Sequence, residues 1–95
     1  MIDIIVTSTF SPDYSEAISV FPIPVQTELN VGFDLEKAAF AEMEIVDLKG
    51  VLIKKYASQM IQQNVISLDV SDLPEGLFLL KILMEGKSVF KKIVK

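Results

Sequence analysis

No cysteine and no histidine occur in the 95 residues, and none of the nine basic residues is arginine. Without cysteine there is no disulfide and no thiolate nucleophile, and without histidine there is no imidazole general base. Losing both removes nearly every zinc or haem ligand set. The serines are left with no evident activator, so nucleophilic hydrolysis is not expected. Long apolar runs are also missing: Leu77-Phe78-Leu79-Leu80 meets Lys81, far short of the ~20 apolar residues that cross a bilayer as a helix. No lysine precedes Lys37, so the basic start of a secretory signal peptide is absent. If the chain is exported, the expectation is a piece or the mature end of something longer, with Met1 an added start.

What is present is an apolar fraction of 51%, enough for one core, and a length that suits a single small domain. Nine lysines against thirteen carboxylates leave 9 − 13 = −4, which argues against a general nucleic-acid footprint. The charge is uneven. Residues 1–47 hold nine carboxylates and one lysine, and residues 48–95 hold four carboxylates and eight lysines. Either the two ends pair across a compact fold, or the basic C-terminal half is a recognition surface for an acidic partner.

Period-two alternation dominates the chain. From Val25 to Phe33 the apolar or β-branched residues take every odd position, which predicts a half-buried strand with Leu29, Val31 and Phe33 facing the core. Asn64, Ile66, Leu68 and Val70 mark a second strand, less clean. Leu77 to Met84 is nearly continuous in apolar residues and reads as a central strand covered on both faces. Ser88 to Val94 is a further strand whose facing stays open, since Val89 and Ile93 flank Lys91 on one side and Phe90 and Val94 lie on the other.

The separators carry turn chemistry. Asp47-Leu48-Lys49-Gly50 divides Ala41–Val46 from Val51–Tyr56 and predicts a hairpin with Gly50 at positive φ. Glu85-Gly86 joins the last two strands in the same way. Ser71 to Gly76 is a longer turn built around Pro74 and Gly76, and Pro22 and Pro24 impose a kinked entry into the first clear strand. Asp34 to Glu44 has helix formers behind a possible Asp34 cap, yet Glu42-Met43-Glu44-Ile45 alternates into the hairpin turn. The preferred reading is a loop through Ala39 and then a strand. Short strands at this spacing point to an all-β antiparallel sandwich of about seven strands. Met1–Ser8 is either an additional edge strand or the tail of an upstream segment, so residues 1–17 stand apart from a domain at 18–95.

Candidate chemistry is sparse. Glu42 and Glu44 share one strand face at about 7 Å, a pair that would need a cleft and one raised pKa to act on a glycoside; a solvated outer face is the simpler reading. Asp69, Asp72 and Glu75 gather around a turn and offer oxygen ligands for calcium, but their spacing matches no EF-hand loop and Asp72 more simply caps the turn. No cofactor, metal or catalytic residue is assigned, and no enzyme activity is expected.

The order of short motifs is more informative than any one of them. Ile18-Ser19-Val20-Phe21-Pro22-Ile23-Pro24 is followed by Met43 to Gly50, then by Leu73-Pro74-Glu75-Gly76-Leu77-Phe78 and finally by Gly86-Lys87-Ser88-Val89-Phe90-Lys91-Lys92-Ile93-Val94-Lys95. Over residues 18–95 this resembles the type A C-terminal sorting domain carried by cargo of the type IX secretion system of Gram-negative bacteria. Pro22 and Pro24 match its opening motif, Asp47 and Gly50 its mid-domain turn, and Leu73, Pro74, Gly76 and Phe78 its late turn. Lys91, Lys92, Ile93, Val94 and Lys95 match its tail. Ile23 stands where the family usually has asparagine, and Val51 where it often has arginine.

The resemblance implies a small immunoglobulin-like sandwich acting as a non-catalytic export address. Its partners would be the type IX translocon, a sortase-like protease that removes the domain in many members, and the cargo upstream in the parent chain. The protein would pass through the periplasm to the cell surface or beyond. Residues Lys91 to Lys95 would be the part the translocon reads. The competing class is an immunoglobulin-like adhesion or carbohydrate-binding module, which would display an aromatic platform or a loop cluster of calcium ligands.

Overall fold

A computed structural model describes residues 17–95, and the possible strand at Met1–Ser8 lies outside them. Six strands follow in order: β1 (Ile18–Phe21), β2 (Glu28–Val46), β3 (Leu52–Lys55), β4 (Gln59–Asp69), β5 (Leu77–Met84) and β6 (Lys87–Val94). All pairings are antiparallel, and β2 is the hub. Residues 30–33 of β2 pair β1 on one side and β4 on the other, while residues 44–46 pair β5 and β3. The register at Ala41, shared by β4 and β5, puts β1 and β5 on one edge of β2 and β3 and β4 on the other. β6 pairs β5 alone.

The length of β2 explains how one sheet makes two layers. Between Asp34 and Ala39 its register with β4 slips, so that Leu35 to Ala38 stand against Gln62 alone. Extra residues on one strand bend it and increase its twist. The inward positions keep their parity across the bend: Leu29, Val31, Phe33 and Leu35 before it, and Ala39, Ala41, Met43 and Ile45 after it, are all buried. The two halves therefore close over one concave face. Both contribute to a single core with Ile18, Ile61, Leu68, Val70, Phe78, Leu80, Ile82, Met84 and Ile93. This is an all-β, immunoglobulin-like sandwich, with six strands among the described residues against the seven expected.

Four details differ from the sequence reading. Residues 34–39 are strand, not loop, because the bulge lets the chain bend while it stays in the ladder. The first alternating strand begins at Glu28, after a segment in which both the Phe21–Pro22 and Ile23–Pro24 peptides are cis. β5 is not covered on both faces. Phe78, Leu80, Ile82 and Met84 are buried, whereas Leu79, Lys81 and Leu83 are half-buried on the convex side. Asn64 is exposed although it pairs with inward-facing Phe33, and beyond the slip opposite β2 the parity of β4 shifts so that Ile61 points inward.

The predicted turns form. Asp47 Oδ1 accepts the N–H groups of Lys49 (2.8 Å) and Val51 (2.9 Å), and Gly50 closes the loop at φ +88°. Gly76, at φ +152°, exchanges two 2.9 Å backbone hydrogen bonds with Lys95. The facing of β6 is also settled: Ile93 is fully buried and Val89 packs on the core, while Phe90 and Val94 lie outside.

Candidate recognition surface

The residues assigned to the tail divide between two structural roles. Ile93 contributes no recognition side chain, because it is buried in the core opposite Phe78. Lys95 is half-buried, and its ammonium is folded back onto the Ser71–Gly76 loop. Its Nζ donates to the carbonyls of Val70 (2.7 Å), Leu73 (2.7 Å) and Ser71 (3.3 Å). Lys92 and Val94 face solvent on the convex side, next to Leu79 and Leu77 respectively, and Lys91 is half-buried opposite Leu80.

The loop that Lys95 caps is itself held by β3. Lys54 Nζ donates to the Asp69 carbonyl (2.9 Å) and pairs with Asp72 (2.9 Å), and Tyr56 Oη donates to the same Asp69 carbonyl (2.8 Å). The Lys54 ammonium also sits 5.4 Å from the centre of the Tyr56 ring, within cation–π range. Asp69 accepts the N–H (2.9 Å) and hydroxyl (2.7 Å) of Ser71, which hold its carboxyl below the usual carboxylate range. Asp72 is held low by its hydrogen bond from Lys54. Partial burial, reinforced by Asp72 and Asp69, pushes the Tyr56 hydroxyl up to about 12. Lys54 and Tyr56 were not singled out in the sequence. Their spacing on a short strand carries no signal until β3 is laid beside the loop.

The other sequence-predicted residues take structural places. Leu73 is buried under the loop, Phe78 is buried in the core, and Asp47 and Gly50 build the mid-domain turn. Pro22 and Pro24 precede Val25, whose N–H donates to the Val94 carbonyl at 2.8 Å and so ties the opening motif to the chain end. Thr27 is tied to the late loop by a bond from Val70 N–H (2.9 Å). The opening segment and the late turn thus both meet the end of the chain, whereas the mid-domain turn closes on itself.

Asp69 and Asp72 are engaged by Ser71 and Lys54, and among the described residues no three acidic side chains are grouped to hold a metal ion. Glu44 lies on the convex face with Lys55 on one neighbouring strand and Lys81 on the other. Carboxylates of the acidic half and lysines of the basic half are therefore interleaved there. Among the described residues the exposed rings do not form a platform: Phe21 lies beside Asn30, Phe40 belongs to the middle of β2, and Phe90 sits in the row of Glu44 and Lys81.

The backbone of β6 completes the surface. Because Lys95 and Gly76 exchange both of their hydrogen bonds, the odd-numbered residues of β6 turn their N–H and C=O groups toward β5. Those of Ser88, Phe90 and Lys92 face the other way. The Val94 carbonyl, taken by Val25, marks the same outward direction.

No curated protein matches the chain. The family model described as the secretion system C-terminal sorting domain matches residues 19–95. It spans all four motifs apart from Ile18, the two tied loops and the terminal edge strand, and on that match the chain belongs to the family of type IX secretion C-terminal sorting domains.

Proposed function

We propose that residues 18–95 are a folded address that carries a cargo, joined upstream in the parent chain, through the type IX translocon and past the outer membrane. In this reading the translocon engages the terminal strand, with Lys91, Lys92 and Val94 presented to it and Ile93 and Lys95 holding the strand in place. A sortase-like protease then removes the domain from the cargo at the surface. The domain itself performs no chemistry. The observation that carries this reading is that β6, the last strand of the family match, forms an outer edge of the sheet, where among the described residues the outward backbone groups of Ser88, Phe90 and Lys92 meet no neighbouring strand.

The test places a signal peptide and a folded reporter ahead of residues 18–95 in a host that possesses the type IX machinery. Reporter is expected at the cell surface or in the medium. Replacing Lys92 with glutamine is expected to reduce export while leaving the melting temperature unchanged, and half-buried Lys91 is replaced on its own with its melt recorded. Lys95 is varied separately, because its contacts are with the domain's own loop. Reporter that stays in the periplasm with the intact domain refutes the assignment and favours a binding module.

A further inference from the structure

We infer that the outer edge of β6 is a strand-addition site for an extended partner segment that alternates apolar, acidic and apolar residues on one face. This deepens the proposed function by naming the chemistry of the partner. Three observations support it.

The first is that, among the described residues, β6 is the long and regular edge, open from Ser88 to Lys92 up to the point where Val25 takes the Val94 carbonyl. β1 and β3 have four residues each. β4 is interrupted by the slip opposite Leu35 to Ala38, and the Asp69 carbonyl at its end is taken by Tyr56 and Lys54. β6 pairs with β5 without interruption from Lys87 to Val94 and contains neither proline nor glycine. Unpaired edge groups template another strand, and proteins usually blunt such edges with short strands, bulges or inward-pointing charges.

The second is the row of side chains beside that edge. Phe90 and Val94 are 53% and 39% exposed, with Lys92 exposed between them. A lysine on an edge turns away strands of its own charge, and set between two exposed apolar groups it leaves the edge selective for an acidic strand. A strand added along Ser88 to Lys92 places an apolar side chain opposite Phe90 and an acidic one opposite Lys92, and its next apolar side chain reaches that of Val94, whose carbonyl stays with Val25. Half-buried Leu79 and exposed Leu77 continue the apolar surface onto β5.

The third is charge. Residues 86–95 contain four lysines and no acidic side chain. Pairing β6 with a second copy of itself would set exposed lysines such as Lys87 and Lys92 of one chain against those of the other, with no acidic side chain on either strand, which disfavours self-association and favours an acidic partner strand.

The experiment uses the full chain, isotopically labelled, titrated with a short end-capped peptide in which threonine alternates with valine, aspartate and valine. Amide exchange is expected to slow at Ser88, Phe90 and Lys92, and not at Val89 or Ile93, whose N–H groups already bond to β5. A control peptide with lysine in place of aspartate is expected to bind about fivefold more weakly, the scale of an exposed cross-strand charge pair. Lys92→Glu, at an exposed position, is expected to melt normally and to invert that preference. Equal binding of the two peptides, protection at β4 instead, or dimerisation of the free chain overturns the inference. In the reporter assay, full export by Lys92→Glu also overturns it while leaving the sorting function intact. A wild-type domain that exports nothing refutes the sorting function instead, and the peptide titration then decides the edge site independently.

Discussion

Replacing Lys95 with methionine keeps the apolar stem and removes the charge and the three donors, so it isolates what the ammonium contributes. Two of its acceptors, the Val70 and Leu73 carbonyls, lie at 2.7 Å in part-buried positions, and the third, on Ser71, is longer and exposed. A hydrogen bond from a charged donor contributes about 1.5–3 kcal/mol, and immobilising a lysine side chain costs about 2 kcal/mol. Two short bonds at the lower figure, less most of that entropy and with water reaching the freed carbonyls, leave a net loss of about 1–2 kcal/mol. For a domain of this size that is a fall in melting temperature of roughly 4–15 °C, read by circular dichroism. Lys92→Met, at an exposed position, is expected to change the melt by less than about 0.5 kcal/mol. If Lys95→Met melts with the wild type, the Lys95 bonds are no more than a surface arrangement, and the division of the tail into holding and presenting residues is wrong. The comparison also decides how a loss of export on mutating the tail is interpreted, since an unfolded domain and an unread one both fail to export.

Two further outcomes follow from the turns and from Tyr56. Gly50→Ala meets no atom within 4 Å, so its cost is the backbone alone, about 1 kcal/mol; Gly76→Ala, at φ +152° in the clasp with Lys95, is expected to cost about 1–3 kcal/mol, both measured by denaturant melts. Tyr56 has its folded pKa raised to about 12 from 10.0, so its contribution is complete below pH 10 and is lost as pH rises toward 12. Tyr56→Phe should flatten that part of the stability profile, and an unchanged slope would show that Tyr56 is not its source. Asp69 and Asp72 have lowered folded values, so their contribution is present above the unfolded value of 3.8 and is lost as pH falls below it. Asp72→Asn should weaken the acid dependence of the melt.

Local patterns were legible because their causes are local. The odd-position alternation of Leu29, Val31 and Phe33, and again of Met43 and Ile45, follows from the two-residue period of a strand, whatever that strand pairs with. Asp47 and Gly50 specify their turn through bonds closed within five residues. The order of the four motifs along the chain points to the sorting-domain family by itself, and the family match over residues 19–95 agrees.

Other features depended on what lies across the sheet. Whether residues 34–39 leave the ladder or bulge within it is decided by where β4 re-registers, and the same slip turns Ile61 inward. The convex face of β5 stays half-exposed because none of the described strands packs over it, something a run of apolar residues cannot reveal. Composition reads the lysines near the chain end as equivalent. Lys95 differs from Lys92 only because the fold brings the Val70 and Leu73 carbonyls within 2.7 Å of one ammonium and leaves the other in water beside an open strand edge. The alternation that made β6 a strand was local, but its position at the edge of the sheet was set by the order in which the strands assemble around β2.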